Sequence, residues 1–235
     1  MLSNTSIVVM CGGKGSRLGN LSEDTPKPLV KIHDKTILDW KLEHYANQGY
    51  YNCVLCVGFR GDKIKKYIQQ KYNKILVNDS GVRAGILKRL FDVKDQLTQT
   101  TLVSYGDTFA KIELDNLIKK HALNNTLITL VVAPIINPFG ILKWNNNNII
   151  TSFEEKPTFN HFIGYFVINR EALEYIPQKV INMPDGKGIV AMFKNFIDMK
   201  QVKIYEYFGL KFTVNTPSEL EDVRKNIGGF YTLNE

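Results

Sequence analysis

Residues 6–19 read Ser6-Ile-Val-Val-Met-Cys-Gly-Gly-Lys-Gly-Ser-Arg-Leu-Gly19. The apolar run SIVVMC predicts a strand covered on both faces, as in a parallel sheet. The glycine-rich loop that follows lets the backbone approach a ligand closely and turn its N–H groups toward an anion. Two familiar phosphate-binding motifs do not fit it. The dinucleotide fingerprint requires G-x-G-x-x-G, whereas Gly13, Gly15 and Gly19 are spaced G-x-G-x-x-x-G; the phosphate loop of NTPases requires Lys followed by Ser or Thr, whereas Lys14 precedes Gly15. The loop does carry Arg17, and Thr25-Pro26-Lys27-Pro28 follows it. Each proline fixes its own φ and restricts the residue before it, so the Lys27 ammonium is held in one place.

Outward from this block, CVLCVGF (53–59), ILVND (75–79) and TLVSYGD (101–107) are further strand-like runs. They alternate with helical windows at 36–48, after Asp62 as N-cap, and at 85–97, the pattern of an α/β fold with a parallel sheet and crossover helices. Lys88 and Arg89 are expected on the solvent side of the third helix. After residue 125, TLITLVVAP, GILKW, NIITSFEE and FIGYFVIN come in quick succession, which predicts mixed or antiparallel strands added to the parallel half. The Asn145–Asn148 run predicts a hairpin turn. Further helices are expected at 113–124, 170–176, 189–199 and 216–226. With no repeat and no linker, residues 1–235 read as a single domain.

Composition narrows the class. The chain is 44% hydrophobic and 23% charged, and its 30 Lys+Arg against 23 Asp+Glu give +7. That is ordinary globular usage and excludes disordered, collagen-like and disulfide-scaffold chains. Basic residues are scattered in ones and twos and no nucleic-acid recognition motif is present, so no nucleic-acid partner is expected. The apolar stretch Leu127–Ile136 is broken by Pro134 and falls short of the ~20 residues that span a bilayer. MLSNTSIVVM lacks the basic start of a secretory signal, so a cytoplasmic protein without membrane insertion is expected. Cys11, Cys53 and Cys56 are an odd set, expected reduced and buried, with Cys53 and Cys56 on opposite faces of one strand.

The block VVMCGGKGSRLGNLSEDTPKPLVKIHDKTILDW resembles the opening signature of sugar-1-phosphate nucleotidyltransferases, G-G-x-G-[ST]-R-L followed by K-P-[ML]. Gly85-Ile-Leu-Lys-Arg-Leu90, Tyr105-Gly-Asp107, Ser152-Phe-Glu-Glu-Lys-Pro157 and Gly164-Tyr-Phe-Val-Ile-Asn169 follow in the family's order, so the resemblance covers residues 5–226. GILKRL, VSYGD, FGIL and SFEEKP look closest to glucose-1-phosphate cytidylyltransferases. The resemblance implies a Rossmann-like (GT-A-type) α/β fold: a mostly parallel mixed sheet flanked by helices, with added antiparallel strands in the second half. It implies transfer of a nucleotidyl group from an NTP, CTP on this likeness, to a sugar 1-phosphate or related phosphorylated acceptor, with release of pyrophosphate, in the synthesis of surface-glycan precursors. A homo-oligomer is compatible with it.

Carried onto this chain, the resemblance makes Gly12, Gly13, Gly15, Ser16, Arg17, Gly85 and Asp107 nucleotide-binding. Arg17, Lys27 and Lys156 are its catalytic cations: Arg17 at the departing pyrophosphate, Lys27 at the α-phosphate, Lys156 at the acceptor's phosphate. Glu155, Lys156 and Gly164 would hold the acceptor, and Asp107 and Asn215 would hold Mg²⁺. Three positions depart from the family's pattern: Asn215 stands where an Asp is usual, Phe162-Ile163 where Asn-Gly is usual before Gly164, and Arg83 in a shortened 80–85 segment. Two other readings stay open, a guanylyl- or thymidylyltransferase acting on a heptose or hexose 1-phosphate, and a catalytically impaired regulator that binds a nucleotide sugar.

Overall fold

A computed structural model describes residues 5–230, the side chain of Asn20 excepted; the ends of the expected domain, 1–4 and 231–235, lie outside the described residues. The strand anticipated at 6–11 is β1 (Thr5–Cys11), buried throughout except at Met10. Two short strands, β2 (Lys31–Ile32) and β3 (Lys35–Thr36), pair with each other and lead into α1 (Ile37–Asn47). Then follow β4 (Cys53–Val57), α2 (Gly61–Lys71), β5 (Leu76–Asp79), α3 (Ile86–Asp92) and β6 (Thr100–Tyr105). β1 pairs in parallel with both β4 and β6, and β4 with β5. Helix α2 starts at Gly61 with Arg60 in the cap position at φ 50, so Asp62 lies in the first turn rather than at the cap. There its charge still faces the positive end of the helix dipole.

The second half comprises β7 (Thr108–Ala110), α4 (Leu114–Asn124), β8 (Ile128–Ile136), β9 (Ile141–Trp144), β10 (Ile150–Glu154) and β11 (Thr158–Asn169). It ends with α5 (Gln178–Ile181), α6 (Lys187–Asp198), β12 (Val202–Glu206), β13 (Lys211–Thr213) and α7 (Pro217–Phe230). β11 runs antiparallel to β6 and to β8, while β12 is parallel to β8. The result is one mixed seven-stranded sheet in the order β12-β8-β11-β6-β1-β4-β5.

One apolar layer joins Cys53, Leu55 and Val57 to α1 and α2; the opposite layer joins Val54 and Cys56 to α3 and α6. The two cysteines diverge as the strand period requires. All three thiols are free and buried, and burial pushes those of Cys11 and Cys53 up to about 12. Among the described residues, no helix is long and apolar enough to cross a membrane. The hairpin expected at 145–148 is present, its turn closed by the Asn145 side chain, which accepts from the N–H groups of Asn147 (2.9 Å) and Ile149 (3.1 Å). Its strands β9 and β10 form a separate two-stranded sheet instead of extending the main one, and Trp144, Ile150 and Phe153 are exposed.

Helix α1 is fastened at its start by a capping box: Asp39 N–H donates to Thr36 Oγ1 (3.1 Å) and Thr36 N–H to Asp39 Oδ2 (2.9 Å). The buried Asp39 carboxylate also accepts from Tyr67 and Tyr72, both at 2.6 Å, and pairs with Lys71 at 2.9 Å. Burial alone would raise the Asp39 pKa, but these hydrogen bonds outweigh it and hold the group down at about 2. Because that lies below the unfolded value of about 3.9, Asp39 contributes stability that is complete above the unfolded pKa and is lost as pH falls through the folded one. Urea unfolding should therefore give a wild-type advantage over Asp39→Asn that is constant from neutral pH down to about 5 and shrinks between about 4 and 2.

Candidate active site

β4 and β5 lie to one side of β1 and β6 to the other, so the strand order reverses between β1 and β6. In open α/β sheets ligands bind at such a switch point, beyond the carboxyl ends of the strands. The loops leaving these two ends border a cleft of about 310 Å³, lined by Gly12, Gly13, Gly15, Ser16, Arg17, Lys27 and, from the later chain, Ile86, Arg89, Asp107 and Asn215. Gly106 N–H donates to Met10 O at 3.0 Å and ties the two strand ends together.

The loop owes its path to glycine at Gly15 (φ +67): the position is left-handed, and an added Cβ would stand 3.1 Å from Cβ of Lys27. Ser22 Oγ donates to Gly15 O at 2.9 Å. Between its two prolines, Lys27 opens a single 3₁₀ turn in which Leu29 N–H donates to Pro26 O at 2.8 Å. That framing delivers the Lys27 ammonium to Asp107 Oδ2 at 2.7 Å and to Asn215 Oδ1 at 3.2 Å. Arg17 Nη2 donates to the same Asn215 oxygen at 2.9 Å. The β7–β13 ladder, with Thr108 opposite Thr213, brings Asn215 beside Asp107, and Val214 N–H donates to Asp107 O at 2.9 Å. Glu219, at the start of α7, accepts from Asn215 N–H at 2.6 Å and holds the segment in place.

The structure thus gathers Gly12, Gly13, Gly15, Ser16, Arg17, Lys27, Asp107 and Asn215 at one cleft. The other candidates stand elsewhere. Gly85 is buried at the start of α3, where the next N–H, that of Ile86, donates to Asp185 O at 2.9 Å; it lets the chain pack against residues 183–185. Gly164 (φ +81) occupies the irregularity in β11, and a Cβ there would lie 3.2 Å from Tyr105, a residue of the cleft wall. Glu155 and Lys156 follow β10 at the base of the hairpin, with side chains 61% and 62% exposed and 3.9 Å apart. They do not line the cleft.

Two buried basic side chains, one lining the cleft and one behind it, are missed by sequence reasoning. Arg89, expected on a solvent face, is buried. Its guanidinium donates to Val57 O, and also to Gly81 O (2.9 Å) and Val82 O (3.5 Å), so it gathers the end of β4 and the 81–82 loop beneath Gly12. Burial lowers its pKa. Cβ atoms on Gly12 or Gly58 would fall on this guanidinium. The register that pairs Cys11 with Val57 sets those two glycines side by side, and nothing in the sequence alone signals it. The second is Lys41 on α1, fully buried, donating to Thr108 O at 2.6 Å and to the Tyr165 hydroxyl at 2.8 Å. Burial pulls its pKa down to about 7, with the charges of Asp107 and Cys11 acting the other way.

A glycine loop and paired cations at the switch point of a mostly parallel sheet define an anion-handling α/β protein. The chain belongs to the nucleotidyl transferase family, whose model matches residues 6–204. It is 27% identical to a protein of Bacillus subtilis (strain 168) described as a probable glucose-1-phosphate cytidylyltransferase, over 93% of this chain and 94% of that one. A D-glycero-alpha-D-manno-heptose 1-phosphate guanylyltransferase of Campylobacter jejuni is 30% identical over 63% of this chain and 67% of its own. The fold matches the crystal structure of HddC from Yersinia pseudotuberculosis complexed with GMP-PN with a TM-score of 0.73 at 17% identity, covering 94% of this chain and 99% of that one.

The packing of Arg89 has a measurable consequence. Gly12→Ala and Gly58→Ala should each lower the unfolding free energy by about 1–3 kcal/mol, because the guanidinium is pinned by backbone carbonyls and cannot retreat. Gly13→Ala, where an added methyl meets nothing within 4 Å, should stay within about 0.5 kcal/mol of wild type in the same urea titration.

Proposed function

We propose that the protein joins an NTP, CTP in the first instance, to a sugar 1-phosphate, forming the nucleotide sugar and pyrophosphate. The observation that carries this reading is the convergence of Arg17 and Lys27 with Asp107 and Asn215 beside the glycine loop. Both reactants are anions, so the work lies in positioning them and in offsetting the charge that builds between them. Gly12, Gly13 and Gly15 offer the nucleotide close backbone approach. The Arg17 guanidinium, a planar fork suited to two phosphate oxygens, holds the departing pyrophosphate. Lys27, a compact charge on a restrained segment, sits at the α-phosphate while the acceptor's phosphate oxygen attacks phosphorus and the bond to pyrophosphate breaks. The cytosine preference rests on the likeness to the Bacillus relative. The Campylobacter relative favours guanine as the second reading.

Mg²⁺ fits the donor set. The oxygens of Asp107 and Asn215 converge on a single cationic atom, Lys27 Nζ, and are free of competing carboxylates among the described residues that line the cleft. Mg²⁺ commonly takes one or two carboxylates and completes its shell with water and substrate phosphates. Asp107 and Asn215 would hold it, and when bound it supplies charge neutralisation at the triphosphate. Asn215 contributes a neutral oxygen where a carboxylate would bind more tightly.

Purified protein given Mg²⁺, each of CTP, GTP, UTP, dTTP and ATP, and a panel of sugar 1-phosphates should release pyrophosphate with one combination; release with none of them overturns the reading. Lys27→Ala should lower turnover with that pair by about 10²–10³-fold, the size of losing one charge-stabilising donor, at unchanged circular dichroism. Near-normal turnover would remove Lys27 from the mechanism. Asn215→Asp should lower the Mg²⁺ concentration needed for half-maximal rate, and an unchanged titration would take residue 215 out of the metal's shell.

A further inference from the structure

Lys41 is a fully buried lysine that forms no ion pair among the described residues, and an anion bound nearby would favour its charged form. Its nearest partners are neutral: Thr108 O at 2.6 Å and the Tyr165 hydroxyl at 2.8 Å, which itself donates to Thr108 O at 2.7 Å. The rings of Tyr165, Tyr45 and Phe109 surround it at 4.8, 5.7 and 5.7 Å from their centroids. Burying a charge without a counter-ion is costly, and such a group is normally paired or lost to an apolar residue. Thr108 is the residue after Asp107, so Lys41 grips from beneath the turn that carries the cleft's carboxylate. Asp107 is already engaged from the cleft side by Lys27 at 2.7 Å. The Asp107 turn is therefore held from two sides, its carboxylate by Lys27 and the carbonyl of the following residue by Lys41.

We propose that Lys41 is a positioning residue for the transfer reaction, fixing the Asp107 turn through Thr108 and supplying from beneath the cleft a buried positive charge whose counter-ion is the bound polyphosphate. The proposal rests on the nucleotidyl-transfer reading and deepens it. Lys41 does not line the cleft, so it acts on the phosphates through the field of its charge and through the turn it holds. In the folded protein the aromatic wall keeps water from screening it, and its influence on an anion in the cleft is correspondingly larger than that of a surface lysine at equal distance.

The test is binding of inorganic pyrophosphate, measured by calorimetry without substrate at pH 6, where Lys41 carries its proton, in wild type, Lys41→Met and Tyr165→Phe, alongside thermal melts and KM and kcat for the best NTP. Lys41→Met keeps the shape and leaves Thr108 O its bond from Tyr165. It should bind pyrophosphate about tenfold more weakly, the effect of one elementary charge acting through a protein dielectric, and raise KM for the NTP, while its melting temperature stays level or rises as expected when a buried charge is removed. Tyr165→Phe removes a hydrogen bond and no charge; it should melt lower and bind pyrophosphate as wild type does. If Lys41→Met does not fold, Lys41→Gln, which retains a donor for Thr108, makes the same comparison. Pyrophosphate affinity unchanged in the lysine variant, or reduced equally by Tyr165→Phe, overturns the proposal. Wild-type protein that turns over substrate while the lysine variant keeps its affinity refutes Lys41 alone; wild type that neither binds pyrophosphate nor turns over refutes the transfer reading as well.

Discussion

Three segments far apart in the chain meet at one ammonium group, that of Lys27. Asp107 lies 80 residues away and Asn215 lies 188 residues away, yet both place an oxygen within hydrogen-bond reach of it. Each arrives by its own device. Prolines on either side stiffen the Lys27 turn, the β6–β7 turn presents Asp107, and the β7–β13 ladder with Glu219 fixes Asn215. The cluster is part-buried, where a charge-assisted bond counts for more than an exposed surface pair does. Movement of the Lys27 or Asp107 segment would leave a part-buried charge unmatched, and movement of Asn215 would cost Lys27 and Arg17 a shared acceptor.

Beneath this cluster the sheet solves a second problem. The carbonyl at the end of β4 is buried and must find a donor. The loop that follows β1 has to cross directly above it. Arg89 meets both demands, donating to Val57 O and to the 81–82 loop while lying flat under Gly12 and Gly58. Two glycines and one arginine thus replace what would otherwise be two side chains and an unsatisfied carbonyl. With Arg17, Lys27 and Arg89 at the cleft wall and Lys41 behind it, positive charge outweighs the single carboxylate Asp107, the balance a polyanionic substrate calls for.

Some of this was legible in the sequence. An apolar run ending in glycines is readable as a buried parallel strand because every residue of it must avoid water on both faces, and β1 is that strand. Pro26 and Pro28 restrict the backbone locally, so the restraint on Lys27 needed no knowledge of its partners. The opposite orientation of Cys53 and Cys56 followed from the two-residue period alone. The motif blocks carried the family likeness and, with it, the pairing of Asp107 with Asn215.

Other features were decided only by the tertiary structure. Charge by itself would send Lys41 and Arg89 to water, although helical spacing sets Lys41 on the same face of α1 as Ile37 and Tyr45. What buries them is a set of acceptors from distant parts of the chain: Thr108 O, 67 residues from Lys41, and Val57 O, 32 residues from Arg89. The hairpin of β9 and β10 stands apart from the main sheet, its strands pairing with each other and joining neither edge strand, β12 or β5, an outcome that strand-like runs in the sequence do not encode. Glu155 and Lys156 directly follow β10 and so stand at the base of that hairpin, outside the cleft. The sequence by itself therefore determined local conformation and the identity of the glycine-rich loop that borders the cleft. Where each charge ends up, and hence the field inside the cleft, depends on hydrogen-bond partners that only the assembled sheet brings within reach.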